Sequence, residues 1–141
     1  MFPIFLLTLC LVALAVVIHY EILQRLSDHL PMTPIRPRLN MVVAIMGSLL
    51  AHIVEIYMFA AAYYAVIIEG SFGRLIGSTK ASLHECAYFS FCTYTSLGFG
   101  DLRPIGPLRV LTAVEALTGL VMIAWTASFM FMQMQRFWNT K

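Results

Sequence analysis

The chain has 141 residues, of which 60% are hydrophobic and 11% are charged, and its formal net charge is +2. A soluble domain carries about a quarter charged residues, so this chain cannot cover a water-facing surface and lipid is expected to be its main solvent. The small net charge gives no indication of nucleic acid or an acidic substrate as a partner. We therefore expect one compact membrane-embedded unit without a separate soluble domain.

Three apolar stretches are long enough to cross a bilayer as helices, which takes about 20 residues each. The segment between the second and third stretches is too polar and too rich in glycine to span, yet it contains a shorter apolar piece of the length expected for a re-entrant helix. These features predict an all-α membrane protein with three transmembrane helices and one re-entrant helix. The three stretches are residues 2–19, 41–68 and 110–134.

The first stretch has an alternative interpretation as a secretory signal peptide, because Ala13-Leu14-Ala15 fits a cleavage site. No Lys or Arg precedes the apolar run, whereas a signal peptide starts with basic residues. A retained N-terminal transmembrane helix is therefore preferred, within a unit of residues 1–30. Its last part, residues 20–30, has apolar residues at helical spacing, which predicts a surface helix or a cytoplasmic extension of the span. The proline-rich residues 31–40 are predicted to be a linker.

The glycine-rich segment before the third span has the pattern of an ion-coordinating loop. An ion that crosses a membrane loses water, and successive backbone carbonyls can replace it if they face a common axis. A backbone that alternates between left- and right-handed conformations presents carbonyls in this way, and glycine adopts the left-handed half without steric cost. Gly98 and Gly100 occupy alternate positions, and Ser96 adds a hydroxyl oxygen. The predicted selectivity filter consists of Thr95, Ser96, Leu97, Gly98, Phe99, Gly100 and Asp101.

A short helix is predicted immediately before this filter. Ser82 and Glu85 have the spacing of a capping box, in which Ser82 caps the first turn and Glu85 reaches back. The carboxyl end of the helix carries a partial negative charge and would face the ion pathway, where it favours a cation.

Together, the short helix, the filter pattern and the two flanking spans resemble the potassium-channel pore family, including the simple bacterial two-helix channels. The usual motif of that family is T-x-G-Y-G-D, which here is Ser96-Leu97-Gly98-Phe99-Gly100-Asp101. The resemblance covers residues 41–138 and implies the following segments in the family's order. They are an outer helix 41–68, a turret 69–82, a pore helix 83–95, the filter 96–101 and an inner helix 107–136.

The resemblance implies a homotetramer in a lipid bilayer that conducts monovalent cations passively, with K⁺ as its ligand and no organic cofactor. It implies an outward-facing filter, so that the N-terminus lies outside and the linker inside, in the inner (plasma) membrane of a bacterium. Lys and Arg are divided almost evenly between the two sides, so the positive-inside rule adds little. The implied K⁺ ligands are the backbone carbonyls of Ser96, Leu97, Gly98 and Phe99 and the Ser96 hydroxyl.

The third span holds the candidate gate. Gly119 resembles the hinge glycine of the family's inner helix, although a small residue for close helix packing explains it equally well. Ile123, Ala127 and Phe131 lie on one helical face, which in the family lines the pore, and a lipid-facing stripe is the alternative. Four Phe131 side chains could form a hydrophobic constriction.

Ionisable residues inside a span need partners, because each costs a few kcal/mol at the bilayer centre. His52 and Glu55 lie one helical turn apart and can share a proton, which makes them a satisfied buried pair or a proton sensor. A His-x-x-Glu pair can also be half of a metal site, but the four histidines are scattered along the chain, so a membrane metalloenzyme is not expected. Glu115 is predicted to face the pore helix, with Thr93 or Tyr94 as partner.

The outer mouth departs from the family pattern. The filter tyrosine is replaced by Phe99, so the hydroxyl that usually bonds to the pore helix is missing. We expect Tyr88, Phe89 and Phe99 to pack behind the filter. Asp101 is expected to pair with Arg103 or Arg109, within a subunit or between subunits.

The sequence contains no catalytic dyad, nucleophile elbow or phosphate-binding loop, so an enzyme is not predicted. Two alternatives to a potassium channel stay open. One is a nonselective cation channel, and the other is a non-conducting regulatory subunit that retains the pore fold.

Overall fold

The structure is a computed structural model that describes residues 2–29, 37–77 and 82–138. The described residues form four helices and two strands, and the strands pair as one antiparallel sheet. The helices are α1 (Phe2–His29), α2 (Pro37–Glu69), α3 (Leu83–Tyr94) and α4 (Leu108–Trp138), and the strands are β1 (Arg74–Ile76) and β2 (Arg103–Ile105).

Three of these helices, α1, α2 and α4, are long and apolar enough to cross a membrane, as predicted. Helix α1 has 28 residues, which corresponds to about 42 Å at 1.5 Å per residue, so it is longer than a bilayer core. The amphipathic residues 20–29 continue the first span without a break, and the alternative of a separate surface helix is wrong. Large apolar side chains on all three helices are exposed in the subunit, as lipid-facing positions should be.

Helix α2 begins at Pro37, four residues before the expected start of the outer helix at Met41. Proline is tolerated in the first turn of a helix because its missing N–H has no intrahelical partner there. The rest of the predicted proline-rich linker, residues 31–36, lies outside the described residues.

The short helix α3 is held between α2 and α4, and α1 packs against both of these long helices. The core lies where α3 meets α2 and α4, and its largest fully buried aromatic side chains are Phe59, Tyr63 and Tyr94. Helix α1 thus supports the outside of a three-helix unit that carries the predicted filter segment.

The two strands pair on either side of α3 and the filter, with Arg74 opposite Ile105 and Ile76 opposite Arg103. Three-residue strands have too little periodicity to recognise in a sequence, so no strand is predicted here. Glycine is required beside this sheet. A Cβ at Gly77 (φ 100°) would lie 2.0 Å from the carbonyl oxygen of Asp101, so the sheet packs directly against the end of the filter segment.

Candidate functional site

Helix α3 begins at the predicted cap. Ser82 has an extended backbone, and its Oγ accepts a hydrogen bond of 3.2 Å from the Glu85 N–H. Ser82 therefore satisfies one of the free N–H groups of the first turn and fixes where the helix starts. At the other end, α3 stops at Tyr94, one residue before the predicted end at Thr95, which is the C-cap.

The backbone of the predicted filter has the alternation that ion coordination requires. Its φ angles are 57° at Ser96, 54° at Gly98 and 80° at Gly100, so every second residue is left-handed. The two glycines were predicted to adopt this conformation. Ser96 adopts it as well, although a left-handed conformation costs a residue with a Cβ roughly 1–2 kcal/mol.

Hydrogen bonds to the end of α3 hold this unusual backbone in place. The Ser96 N–H donates to the Thr93 carbonyl at 2.9 Å, and the Gly98 N–H donates to the Cys92 carbonyl at 3.2 Å. These bonds satisfy carbonyls that a helix leaves free at its last turn. The filter is thus anchored to α3 at successive left-handed residues.

One side of the filter is open in the single subunit. Residues 95–101 are all exposed, and a Cβ built at Gly98 or Gly100 would have no atom within 4 Å. The glycines are therefore required by their backbone conformation and not by lack of space.

Behind the filter, the Phe99 ring stacks on the Tyr88 ring with centroids 6.4 Å apart and planes at 5°. This contact was predicted. Phe89 was also expected there, but it packs edge-on against Tyr63 of α2, with centroids 5.1 Å apart. Consecutive helical residues point about 100° apart, so Tyr88 and Phe89 cannot both face the filter.

The Tyr88 side chain also faces Asp101. Desolvation, followed by the neighbouring Asp101 carboxylate and Cys92, raises the pKa of the Tyr88 hydroxyl to about 12. Helix α3 thus places a hydroxyl near Asp101, although Phe99 itself contributes none. The expected pairing of Asp101 with an arginine is not formed within the subunit, among the ion pairs of the described residues. Arg109 instead donates from Nε to the Pro104 carbonyl at 3.3 Å, and a pair between subunits stays a prediction.

We expect Asp101→Asn to shorten the conductive periods of the filter while leaving subunit assembly intact. The exposed Tyr88–Asp101 contact contributes little to global stability, but it acts directly on the filter end. The effect should be severalfold at most and should be visible as shorter open dwell times in single-channel records. Tyr88→Phe should reproduce it, and the double variant should add nothing. Additive effects would show that Asp101 acts through another partner.

Glu115 of α4 is fully buried and does face α3, as predicted. Its partners are different from those expected, since Ser90 Oγ donates to Oε1 and Tyr63 Oη donates to Oε2, each at 2.5 Å. Thr93 and Tyr94 were the wrong candidates, because Tyr63 comes from α2, whose position the local sequence does not reveal. The carboxylate thereby joins α2, α3 and α4 just behind the filter.

A second buried polar cluster lies where all four helices meet, and we call it the four-helix junction. It contains the predicted pair His52 and Glu55, whose Nδ1 and Oε2 atoms are 3.8 Å apart. His19 of α1 joins them with Nδ1 2.9 Å from Glu55 Oε1, and Tyr94 Oη donates to Glu55 Oε2. Thr126 of α4 completes it, with Oγ1 at 3.2 Å from His19 Nε2 and 3.0 Å from His52 Nε2.

Three members of this junction, His19, Tyr94 and Thr126, are not predicted from the sequence. They come from three helices other than the one that carries His52 and Glu55, and sequence spacing cannot relate different helices. His19 alone could have been noticed in the sequence, because it ends an apolar run that contains no charged residue. The role of His52 and Glu55 as a proton sensor stays a prediction.

The inner helix makes a close contact at Gly119. A Cβ there would lie 2.0 Å from the Tyr94 carbonyl oxygen, so this geometry supports the interpretation of Gly119 as a packing residue. Ile123, Ala127 and Phe131 are all exposed in the subunit. This exposure fits a pore-lining face and a lipid-facing stripe equally.

Comparisons with known proteins agree with this geometry. A family model described as ion channel matches residues 51–136, which include α3, the filter and most of α4. Protein LctB of Geobacillus stearothermophilus is 32% identical over 78 residues, which cover 55% of this chain and 58% of that protein. The inward rectifier potassium channel Kirbac3.1 of Paramagnetospirillum magnetotacticum is 35% identical over 81 residues, 56% of this chain and 25% of that protein.

The matched segments are thus only part of both relatives, about three fifths of the first and a quarter of the second. No solved structure matches the chain.

Proposed function

Since the chain belongs to the ion-channel family whose model it matches, we propose that it is a potassium-selective subunit of a four-fold symmetric channel. The observation that carries this proposal is the left-handed backbone at Ser96, Gly98 and Gly100. Such alternation gives the carbonyls of residues 96–99 and the Ser96 hydroxyl the means to replace the hydration shell of K⁺.

The exposure of the filter supports assembly around an axis. One subunit supplies one strand of carbonyls and leaves residues 95–101 exposed on the open side. A closed ring of ligands needs further copies, and cyclic symmetry is the usual way in which a homo-oligomer closes. Four copies would place four α3 carboxyl ends, each with a partial negative charge, around a cation in the membrane.

Selectivity for K⁺ is supported by the Gly-Phe-Gly-Asp filter and by the similarity to a potassium channel. We place the filter at the outer side of a bacterial inner membrane, with the carboxyl ends of α1 and α4 inside. A nonselective cation channel and a non-conducting regulatory subunit are the alternatives.

Recording of purified protein in a planar bilayer, with K⁺ on one side and Na⁺ on the other, distinguishes these functions. A potassium channel gives a reversal potential close to that of K⁺. A reversal potential near zero would indicate a nonselective pore, and absence of current at every voltage would indicate a non-conducting subunit.

We expect Phe131→Ala to raise the basal K⁺ flux of proteoliposomes if four Phe131 rings close the inner mouth. The smaller side chain would widen the constriction and let water and ions enter it. Met132→Ala is the matched control, because Met132 is also large and exposed on α4, 57% against 59% for Phe131, but points about 100° away. Equal flux in both variants and the parent would assign the gate to another residue.

A further inference from the structure

The four-helix junction has no part in the permeation described above, yet it brings together three side chains that bind metals. The candidate ligand atoms of His19, His52 and Glu55 all lie within 4.8 Å of one another. His19 and Glu55 are fully buried, and the His52 side chain is 12% exposed. An imidazole pair with one carboxylate, partly reachable from one side, is a donor set that transition metals use.

With both histidines neutral and no cation bound, the hydrogen bonds of this network cannot all be satisfied. The single Tyr94 proton goes to Glu55 Oε2, so His52 Nδ1, 3.0 Å from Tyr94 Oη, must donate to that oxygen. His19 Nδ1 must likewise donate to Glu55 Oε1, because an ionised carboxylate only accepts. Both Nε2 atoms are then acceptors.

Both of these Nε2 acceptors face Thr126, at 3.2 Å and 3.0 Å from Oγ1. A hydroxyl has one proton to donate, so Thr126 can donate to only one of the two Nε2 atoms. The other contact then joins two acceptors without a proton and is not a hydrogen bond. An unsatisfied polar group inside a membrane protein is costly. The geometry of Thr126 therefore requires that at least one histidine carries its proton on Nε2.

A metal ion at the Nδ1 atoms removes the conflict. Each imidazole then keeps its one proton on Nε2, and both donate to Thr126 Oγ1, whose oxygen can accept two hydrogen bonds. Ligand histidines commonly use their second nitrogen in this way, and the acceptor fixes their orientation. Thr126 is placed to orient both ligands at once.

The spacing of the ligand atoms fits as well. Glu55 carboxylate oxygens lie 2.9 Å from His19 Nδ1 and 3.8 Å from His52 Nδ1. Tetrahedral ligands with bonds of about 2.0–2.1 Å are about 3.3 Å apart, and both of these separations are close to that spacing.

The surroundings can accommodate a divalent charge. Glu55 contributes one negative charge to the cluster, and the Tyr94 hydroxyl donates a hydrogen bond to this carboxylate. The carboxyl end of α3, with its partial negative charge, ends at Tyr94.

We propose that His19, His52 and Glu55 form a binding site for a divalent transition metal of the Zn²⁺ class, with Thr126 as the residue that orients both histidines. The metal joins α1 to α2 and, through the Glu55–Tyr94 hydrogen bond, reaches the end of the pore helix. It gives the additional N-terminal helix a means of acting on the filter. The proposal does not depend on K⁺ permeation, because metal binding is measured without ion flux.

Titration of metal-stripped protein in lipid nanodiscs with Zn²⁺, followed by calorimetry, tests the site. We expect one ion per subunit, and Co²⁺ in its place should give the visible absorption of a four-coordinate complex. Thr126→Val retains all three ligands and should lower the affinity about 10- to 100-fold. His19→Asn and His52→Gln should lower it further.

The other two histidines of the chain, His29 and His84, are exposed and serve as matched controls. His29→Gln and His84→Gln should leave the affinity unchanged. Size-exclusion chromatography checks that each variant keeps its assembly, and if His19→Asn does not, Thr126→Val against the two controls decides. Absence of Zn²⁺ binding by the parent, or equal affinity in the parent and Thr126→Val, overturns the proposal. In that case an extra proton on one histidine completes the network instead.

Discussion

Gly98→Ala is expected to abolish K⁺ conduction. Gly98 has a φ of 54°, and a Cβ in this left-handed conformation costs roughly 1–2 kcal/mol per residue. Summed over four copies around one axis, this conformational cost is about 4–8 kcal/mol. Since about 1.4 kcal/mol corresponds to a factor of ten, the summed cost corresponds to several powers of ten. The filter should relax to a backbone whose carbonyls no longer alternate, and K⁺ flux into proteoliposomes should fall to background.

Gly70→Ala is the matched control for this prediction. Gly70 also has a positive φ, 78°, and a Cβ there would also have no atom within 4 Å, but it follows α2 outside the filter. Gly70→Ala should have a similar local conformational cost, and its K⁺ flux should be nearly normal. Unchanged flux in Gly98→Ala would rule out residues 95–101 as the filter.

Gly119→Ala is expected to disrupt the subunit itself. The added Cβ would lie 2.0 Å from the Tyr94 carbonyl oxygen, and because that atom belongs to the backbone, α3 and α4 would have to separate. Overpacking of this kind typically costs about 1–3 kcal/mol, and more where no flexible side chain can move. The thermal unfolding midpoint should fall, and flux should be lost with it, since Tyr94 ends the helix that carries the filter.

Gly47→Ala provides a comparison at similar crowding. Its Cβ would lie 2.8 Å from the terminal methyl groups of Leu26, which can rotate away, so the unfolding midpoint should change little. The two interpretations of Gly119 also differ in outcome. A hinge glycine predicts that Gly119→Ala assembles normally and only gates differently, and that result would contradict the packing interpretation.

The filter and its helix could be predicted because their structure depends on residues close in sequence. Ser82 caps α3 three residues before Glu85, and the left-handed positions at Gly98 and Gly100 follow from the lack of a Cβ. The unforeseen left-handed residue is Ser96, whose conformation is fixed by a hydrogen bond to Thr93 and not by its own preference.

The sheet and the partners of Glu115 could not be predicted. Strands β1 and β2 are three residues each, and they exist because Gly77 lets the backbone approach Asp101 closely. Glu115 was placed facing the correct helix, yet its partner Tyr63 is 52 residues away on α2. Nothing in the spacing of either residue indicates the other.

The sequence by itself determined that lipid is the main solvent of this protein, that it has three spans, and that Gly98 and Gly100 are left-handed. Apolar length and glycine placement are local properties, and lipid and sterics act on them directly. Only the tertiary structure decided that Gly119 packs on Tyr94 and that His19 meets His52, Glu55 and Thr126. Helices in lipid are positioned by close packing and by the pairing of buried polar groups. Both are relations between helices, and a pattern within one helix does not contain them.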